Sequence, residues 1–459
     1  METPETHNEN TRRPEGVRSA RPRRMRVKVR YRWDRIAMLL AVPVTIILLV
    51  LWLIFGKSCS GSDSRERVDE TLVWSDTVSN ASSALPSLKR MDREVDRFRR
   101  RWGLAGLSLA VTRNDSLVYA KGYGHADRDS LLPMDASTTM RIASVSKLIT
   151  AVAVMHLVDK GILGLDSRVF GPEGIIRDTL IANAVTDKRV FDITVDHLLQ
   201  HSAGFSQRAG DPMFTTADIV SNNDLSTAPT PDELMRIVLR RRLGAAPGSW
   251  RSYSNFGYFV LSQVVEHATG IPYYTYVTDS VLTPMGAFKT RPAGNYRHQR
   301  HDDEAVYYGP DTVKIPEFNG SGRMVDRVYG GNNIHGLYGA GGWTSTPADL
   351  ARIVAGIDGN GGLEDFLSPR AIALMTEARD DGPNLARGWS DTDVYGKWTR
   401  TGTLASTHAL VIRYPQGDTW VVTTNSGYYS GHQFLAKVKE LVAQLRRGYL
   451  TSIPHRTMW

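Results

Sequence analysis

The sequence predicts an α+β domain: an antiparallel sheet flanked by helices, with a mostly helical region, preceded by one transmembrane helix. Three observations predict it. β-favouring runs stand near both ends of the body, at 107–123 and 409–425. Helical periodicity fills the stretch between them, and an uncharged run, 36–55, precedes both. Terminal strands that enclose a helical middle must pair with each other to bury an apolar face, which gives a sheet domain with an inserted helical region.

The chain begins with a basic tail. Residues 1–35 hold eleven Lys/Arg and five Asp/Glu, a surplus of six, so the rest of the chain carries only 8 − 6 = +2 of the formal net charge of +8. The positive charge belongs to the tail rather than the body, which argues against a nucleic-acid partner. The twenty residues 36–55 follow without a charge, and a helix of that length spans about 30 Å, enough for a bilayer. Arg30, Arg32 and Arg35 precede the run, and Tyr31, Trp33 and Trp52 suit its interfaces. The positive-inside bias then sets the N-terminus in the cytoplasm. The run is too long for a cleaved signal peptide, so it reads as a single-pass signal anchor in the cell (inner) membrane. The domain after it is exported, and periplasmic where an outer membrane exists. The one cysteine, Cys59, leaves the exported part without an internal disulfide.

Residues 56–90 are polar and Ser-rich and read as a linker. Regular structure is expected from 91, where Met91, Val95 and Phe98 recur at helical spacing, and the folded domain is expected to run over 91–450. Residues 107–112 and 116–123 read as strands of a hairpin about Arg113-Asn-Asp115. Helices are predicted over 144–159, 195–200, 231–242 and 255–268, the third opening on Pro231 and Asp232-Glu233. The strands 409–414 and 420–425 flank Pro415-Gln-Gly-Asp418, and an amphipathic helix covers 433–445. The polar, Gly-rich segment 291–337 reads as a long loop, of the kind that shapes a cleft mouth.

Chemistry concentrates in three motifs. Ser144 lies three residues before Lys147, so the two share one helix face. A hydroxyl needs a base before it becomes a nucleophile, and a desolvated lysine near other cations can serve as one. Tyr253-Ser-Asn255 offers a second proton carrier at Tyr253 and an amide at Asn255. In Arg400-Thr401-Gly402-Thr403, Arg400 brings a fixed positive charge and Gly402 permits close approach. The N–H groups of Ser144 and Thr403 are the candidate oxyanion donors. His197 and His201 stand four apart, but without the intervening Glu of a metalloprotease helix they read as structural. No metal and no cofactor is expected. Ser146 and His408 likewise read as structural.

Together with His197-Leu-Leu-Gln-His-Ser-Ala-Gly204, Pro247-Gly-Ser-Trp-Arg-Ser-Tyr-Ser-Asn255 and Gly341-Gly-Trp-Thr-Ser-Thr-Pro-Ala-Asp349, these motifs resemble the serine β-lactamase and penicillin-binding-protein superfamily. The likeness is to its class C-like branch and covers roughly residues 92–445. The resemblance implies a β-lactamase/transpeptidase-like fold. It also implies Ser144 as nucleophile, Lys147 as its base partner, Tyr253 as shared general base and acid, and Asn255, Arg400, Thr401, Gly402 and Thr403 as substrate-binding positions. Arg400 stands where the family more often has Lys or His. Arginine keeps the charge but does not give up its proton, which suits a carboxylate clamp and excludes a proton relay. The implied activity is acyl hydrolysis of small-molecule or peptide substrates containing D-amino acids, among them peptidoglycan fragments. The alternatives are a small-ester esterase, a class C-like β-lactamase, or a silent module that binds wall fragments.

Overall fold

The structure, a computed structural model, describes residues 78–459 apart from 209, 310–312, 378–384, 428–430 and 456. The basic tail and the expected membrane span at 36–55 lie outside the described residues. Among the described residues no helix is long and apolar enough to cross a membrane.

The chain runs through helix α1 (Lys89–Arg101) and strands β1 (Gly106–Arg113), β2 (Ser116–Asp127), β3 (Leu132–Pro133) and β4 (Met140–Arg141). A helical region follows: α2 (Ser146–Asp159), α3 (Thr179–Ala184), α4 (Val195–Leu199), α5 (Thr216–Asn222), α6 (Pro231–Leu239), α7 (Asn255–Thr269) and α8 (Tyr273–Val277). Short strands β5 (Arg291–Pro292), β6 (Lys314–Pro316), β7 (Met324–Asp326) and β8 (Trp343–Ser345) lead to α9 (Pro347–Ala355) and α10 (Pro369–Thr376). The chain ends in β9 (Asp391–Thr392), β10 (Trp398–Leu404), β11 (Thr407–Tyr414), β12 (Asp418–Thr424) and α11 (Gly431–Tyr449).

Seven strands form one antiparallel sheet in the order β3-β2-β1-β12-β11-β10-β9. The first and last strands of the body meet at its centre, with Leu107 opposite Thr424 and Leu109 opposite Val422. Both faces are covered, so the central strands β1 and β12 are buried almost throughout rather than alternately. Leu107, Leu109, Val111, Leu410, Ile412 and Val422 pack under α1 and α11 with Val95, Phe434 and Val442. Ala409, Val411 and Val421 face the opposite way, into the core built by α2 and α7.

The structure departs from the sequence reading in three places. Residues 80–83 and 86–88 form 3-10 turns before α1, so the end of the segment read as linker is folded onto the domain. The segment 291–337 is not a featureless loop: β5 pairs with β8, and β6 pairs with β7. Finally, the helix expected from Ser144 begins at Ser146, behind a 3-10 turn over Ala143–Val145. Ala143 has φ 51°, a left-handed conformation that costs an L-residue about 1–2 kcal/mol.

Candidate active site

Ser144 sits on that turn, between the sheet and the helical region. Beside it β10 comes very near. A Cβ on Gly402 would lie 3.0 Å from the Ser144 nitrogen and 3.1 Å from the Val145 nitrogen, so only glycine lets the strand approach. Helix α2 is apolar almost all round and nearly every residue in it is buried, as befits a helix in the middle of a large protein. Lys147, one turn on, is therefore fully buried.

Three acceptors surround its ammonium group. Lys147 Nζ donates to Ala340 O at 2.5 Å, to Asn255 Oδ1 at 2.7 Å and to Ser144 Oγ at 3.3 Å. Asn255 opens α7, whose N-terminus is capped by Ser254 Oγ accepting from Gly257 N–H at 3.0 Å. Just ahead of that cap, Tyr253 donates its hydroxyl to Ser144 Oγ at 2.8 Å. The residues of the first two motifs thus converge on one oxygen. Asp211, from the loop before α5, accepts from Asn255 Nδ2 at 2.6 Å.

Electrostatics follow from burial and two cations. Desolvation, aided by the charge of Arg400, brings the Lys147 ammonium down to about 8. Burial alone would push the Tyr253 phenol up, but the charges of Lys147 and Arg400 outweigh it and the net shift is downward. His201 lies beneath, its ring 4.6 Å from that of Tyr253 and 4.9 Å from that of Tyr258. Burial, then Lys147 and Arg400, hold His201 well below its ordinary value, so it stays neutral. Its Nδ1 accepts from Ser254 N–H at 3.1 Å.

Arg400 is 1% exposed and donates from Nε to the backbone carbonyl of Ser144 at 2.7 Å. Its two η nitrogens are buried without a hydrogen-bond partner among the described residues. Arg400 also lines a cleft of about 550 Å³ together with Ser144, Tyr253, Asn255, Thr401 and Thr403. The cleft's remaining wall comes from Phe214, Leu385, Ser390 and Leu435. A buried guanidinium whose two η nitrogens lack partners has the chemistry to pair with an anion.

All eight sequence-predicted residues meet here: seven line or floor the cleft, and Gly402 allows the strand to close on the Ser144 turn. The sequence reading missed Asp211 and the apolar wall. His408 approaches the site indirectly, its Nδ1 lying 3.2 Å from Thr403 Oγ1. His197 accepts from Thr194 N–H through Nδ1 in the capping box of α4. Among the described residues no cluster of three His, Cys, Asp or Glu side chains is arranged to hold a metal ion. The segment 291–337 contributes no lining residue to the cleft among those described.

Comparison with known proteins adds four likenesses. A family model described as Beta-lactamase matches residues 91–444. Esterase EstB of Burkholderia gladioli is 34% identical over 201 residues, 43% of this chain and 49% of that one. Protein flp of Staphylococcus aureus (strain MRSA252) is 25% identical over 237 residues, 51% of this chain and 44% of that one. The matched stretch thus spans about half the length of each of these two relatives. Among solved structures, the D-amino acid amidase from Ochrobactrum anthropi SV3 superposes with a TM-score of 0.59 at 21% identity. The match covers 78% of this chain and 99% of that one, a likeness of fold.

Proposed function

The chain belongs to the β-lactamase family; within it, we propose, it is a serine hydrolase that works through an acyl-enzyme at Ser144. The observation that carries the reading is the convergence of Tyr253 OH and Lys147 Nζ on Ser144 Oγ, at 2.8 and 3.3 Å. In the resting state both groups donate, so Ser144 Oγ only accepts. Loss of one proton from the Lys147–Tyr253 pair turns one of these donors into an acceptor, and Ser144 then has a base.

The chemistry balances as two acyl transfers. Ser144 Oγ bonds to the substrate carbonyl carbon while its proton passes to the pair. The oxyanion sits between the N–H groups of Ser144 and Thr403. As the carbonyl re-forms, the bond to the amine or alkoxide breaks and the pair returns the proton to it. A water then repeats the sequence, releasing the acid and restoring Ser144.

The substrates we propose are D-amino-acid-containing peptides, peptidoglycan fragments among them, with a carboxylate seated on the free end of Arg400. The exported location implied by 36–55 supports this reading, since it makes the protein membrane-anchored with its hydrolase domain outside the cytoplasm. A second reading, a small-ester esterase, draws on the apolar wall of Phe214, Leu385 and Leu435, which suits an uncharged acyl group.

The test uses the full chain and its Ser144→Ala variant in detergent, offered a D-Ala-D-Ala peptide, a chromogenic acetate ester and a chromogenic lactam, with intact mass spectrometry for the acyl adduct. Turnover and an adduct that both vanish in the variant support the acyl-enzyme, and the preferred substrate chooses between the readings. A folded protein that gives neither, and that a fluorophosphonate leaves unlabelled at Ser144, is a binding module instead. Membrane anchoring is read separately, as loss of membrane fractionation when 36–55 is deleted.

A further inference from the structure

We infer that Asp211 is a positioning residue of the Ser144 site: it fixes the Asn255 amide with Oδ1 toward Lys147 and thereby aims the Lys147 amine at Ser144. The inference rests on the acyl-enzyme reading and concerns a residue outside every motif that suggested it.

The argument starts from donors and acceptors. A carboxylate only accepts, and a lysine ammonium only donates. Asn255 lies between them, with Nδ2 at 2.6 Å from Asp211 Oδ2 and Oδ1 at 2.7 Å from Lys147 Nζ. Reversing the amide would set two donors against each other on one side and two acceptors on the other. Asp211 therefore removes the flip that an isolated amide is free to make.

The consequence falls on Lys147. Its Nζ has two fixed acceptors, Asn255 Oδ1 and Ala340 O, and its third tetrahedral direction points at Ser144 Oγ. When the ammonium becomes an amine, the two fixed acceptors retain the two N–H bonds. The lone pair is left facing Ser144, where a base must face. Without Asp211, a flipped amide would offer Lys147 no acceptor, and the lone pair would lose its direction.

Asp211 is itself well anchored. Its Oδ1 accepts from Met213 N–H at 3.0 Å, and its backbone carbonyl accepts from Phe214 N–H at 2.9 Å and Thr215 Oγ1 at 3.1 Å. The same turn carries Phe214 into the cleft wall. The charged and titratable groups around Lys147 are Tyr253 and Tyr258 beside its ammonium, Arg400 from β10, His201 from the loop after α4, and Asp211. Asp211 is the carboxylate of that set, and its charge favours the ammonium form.

The experiment uses the full chain carrying Asp211→Ser, Asn255→Ala, or both. Serine keeps a side-chain acceptor for the turn at Met213 but is too short to reach Asn255. For Asp211→Ser we expect kcat to fall about 10- to 100-fold, with KM and Tm little changed. The rising limb of the pH–rate profile should move to lower pH, because the charge that held the proton on Lys147 is gone. On the plateau above the limb, the double variant should be no slower than Asn255→Ala alone, since the amide through which Asp211 aims Lys147 is then absent. Losses that multiply in the double variant, or a limb that does not move, overturn the inference. So does an Asp211→Ser enzyme as fast as the wild type. A wild-type chain without Ser144-dependent turnover or labelling overturns the acyl-enzyme reading first, and the inference with it.

Discussion

Gly402 and Ser144 are in backbone-to-backbone contact: a Cβ on Gly402 would stand 3.0 Å from the Ser144 amide nitrogen and nearer still to the Ile142 carbonyl. Both neighbours are main chain and cannot swing aside. Gly402→Ala must therefore lever β10 away from the Ser144 turn, an overpacking that costs about 1–3 kcal/mol. The shift separates the two proposed oxyanion donors, and loss of one such donor costs about 100- to 1,000-fold in kcat. We expect a folded variant with lowered Tm and kcat reduced by about 100-fold, read from ester hydrolysis beside a thermal melt. Undiminished kcat would remove Thr403 N–H from the oxyanion site.

The buried Lys147, at about 8, predicts the pH dependence. In the proposed mechanism the base is the Lys147–Tyr253 pair with one proton lost, so activity is low where the pair keeps that proton and rises with pH through its apparent value. Below that value kcat/KM should climb about tenfold per unit, then level off. A profile of kcat/KM between about pH 6 and 10 reads it. A limb centred near the ordinary lysine value would mean that the amine is solvated during the reaction and that burial does not tune it.

Arg400 should act on that limb and on substrate choice. Its charge depresses both Lys147 and Tyr253, so Arg400→Gln should move the rising limb to higher pH. Its η nitrogens have no partner among the described residues. Removing them should therefore cost a carboxylate-bearing substrate about 10- to 100-fold in kcat/KM, roughly 1.4–2.7 kcal/mol. A neutral ester should lose much less at matched protonation. The ratio of the two substrates across the variant is the measurement, and equal losses would show that Arg400 works only through Lys147 and Tyr253.

How far the sequence disclosed this site follows from what local patterns encode. Ser144 and Lys147 share a helical face through their spacing alone, and Gly402 marks close approach through its missing side chain. Asp211 was invisible because its partner Asn255 lies 44 residues further on and no spacing joins them. The wall residues Phe214, Leu385 and Leu435 come from three separate stretches of chain, and a single apolar residue in each looks like ordinary core. The start of α2 was misplaced by two residues because a 3-10 turn over Ala143–Val145, entered through a left-handed Ala143, precedes it. Alanine is the best helix former, and only tertiary packing puts it there.

The same limit explains the boundary drawn at Met91, and yields the last prediction. Strand β2 pairs with β3 only near His125 and Asp127, which leaves most of its outer edge without a strand neighbour. The segment before α1 covers part of that edge. Asn80 Oδ1 accepts from Gly122 N–H at 2.7 Å and Ala136 N–H at 3.1 Å, while its Nδ2 donates to Met134 O at 2.9 Å. Ser83 Oγ accepts from Ala120 N–H at 2.9 Å. A polar, Ser-rich stretch carries no periodicity, so nothing local marks it as an edge cover, yet open edges invite pairing with other chains. Asn80→Ala should destabilise the domain by about 2–3 kcal/mol, from several hydrogen bonds lost at once. A chain cut at Met91 should self-associate where one cut at Val78 stays monodisperse. Denaturant melts and size-exclusion chromatography read the two effects. An Asn80→Ala melt superimposable on the wild type would mean that water serves the β2 edge as well as Asn80 does.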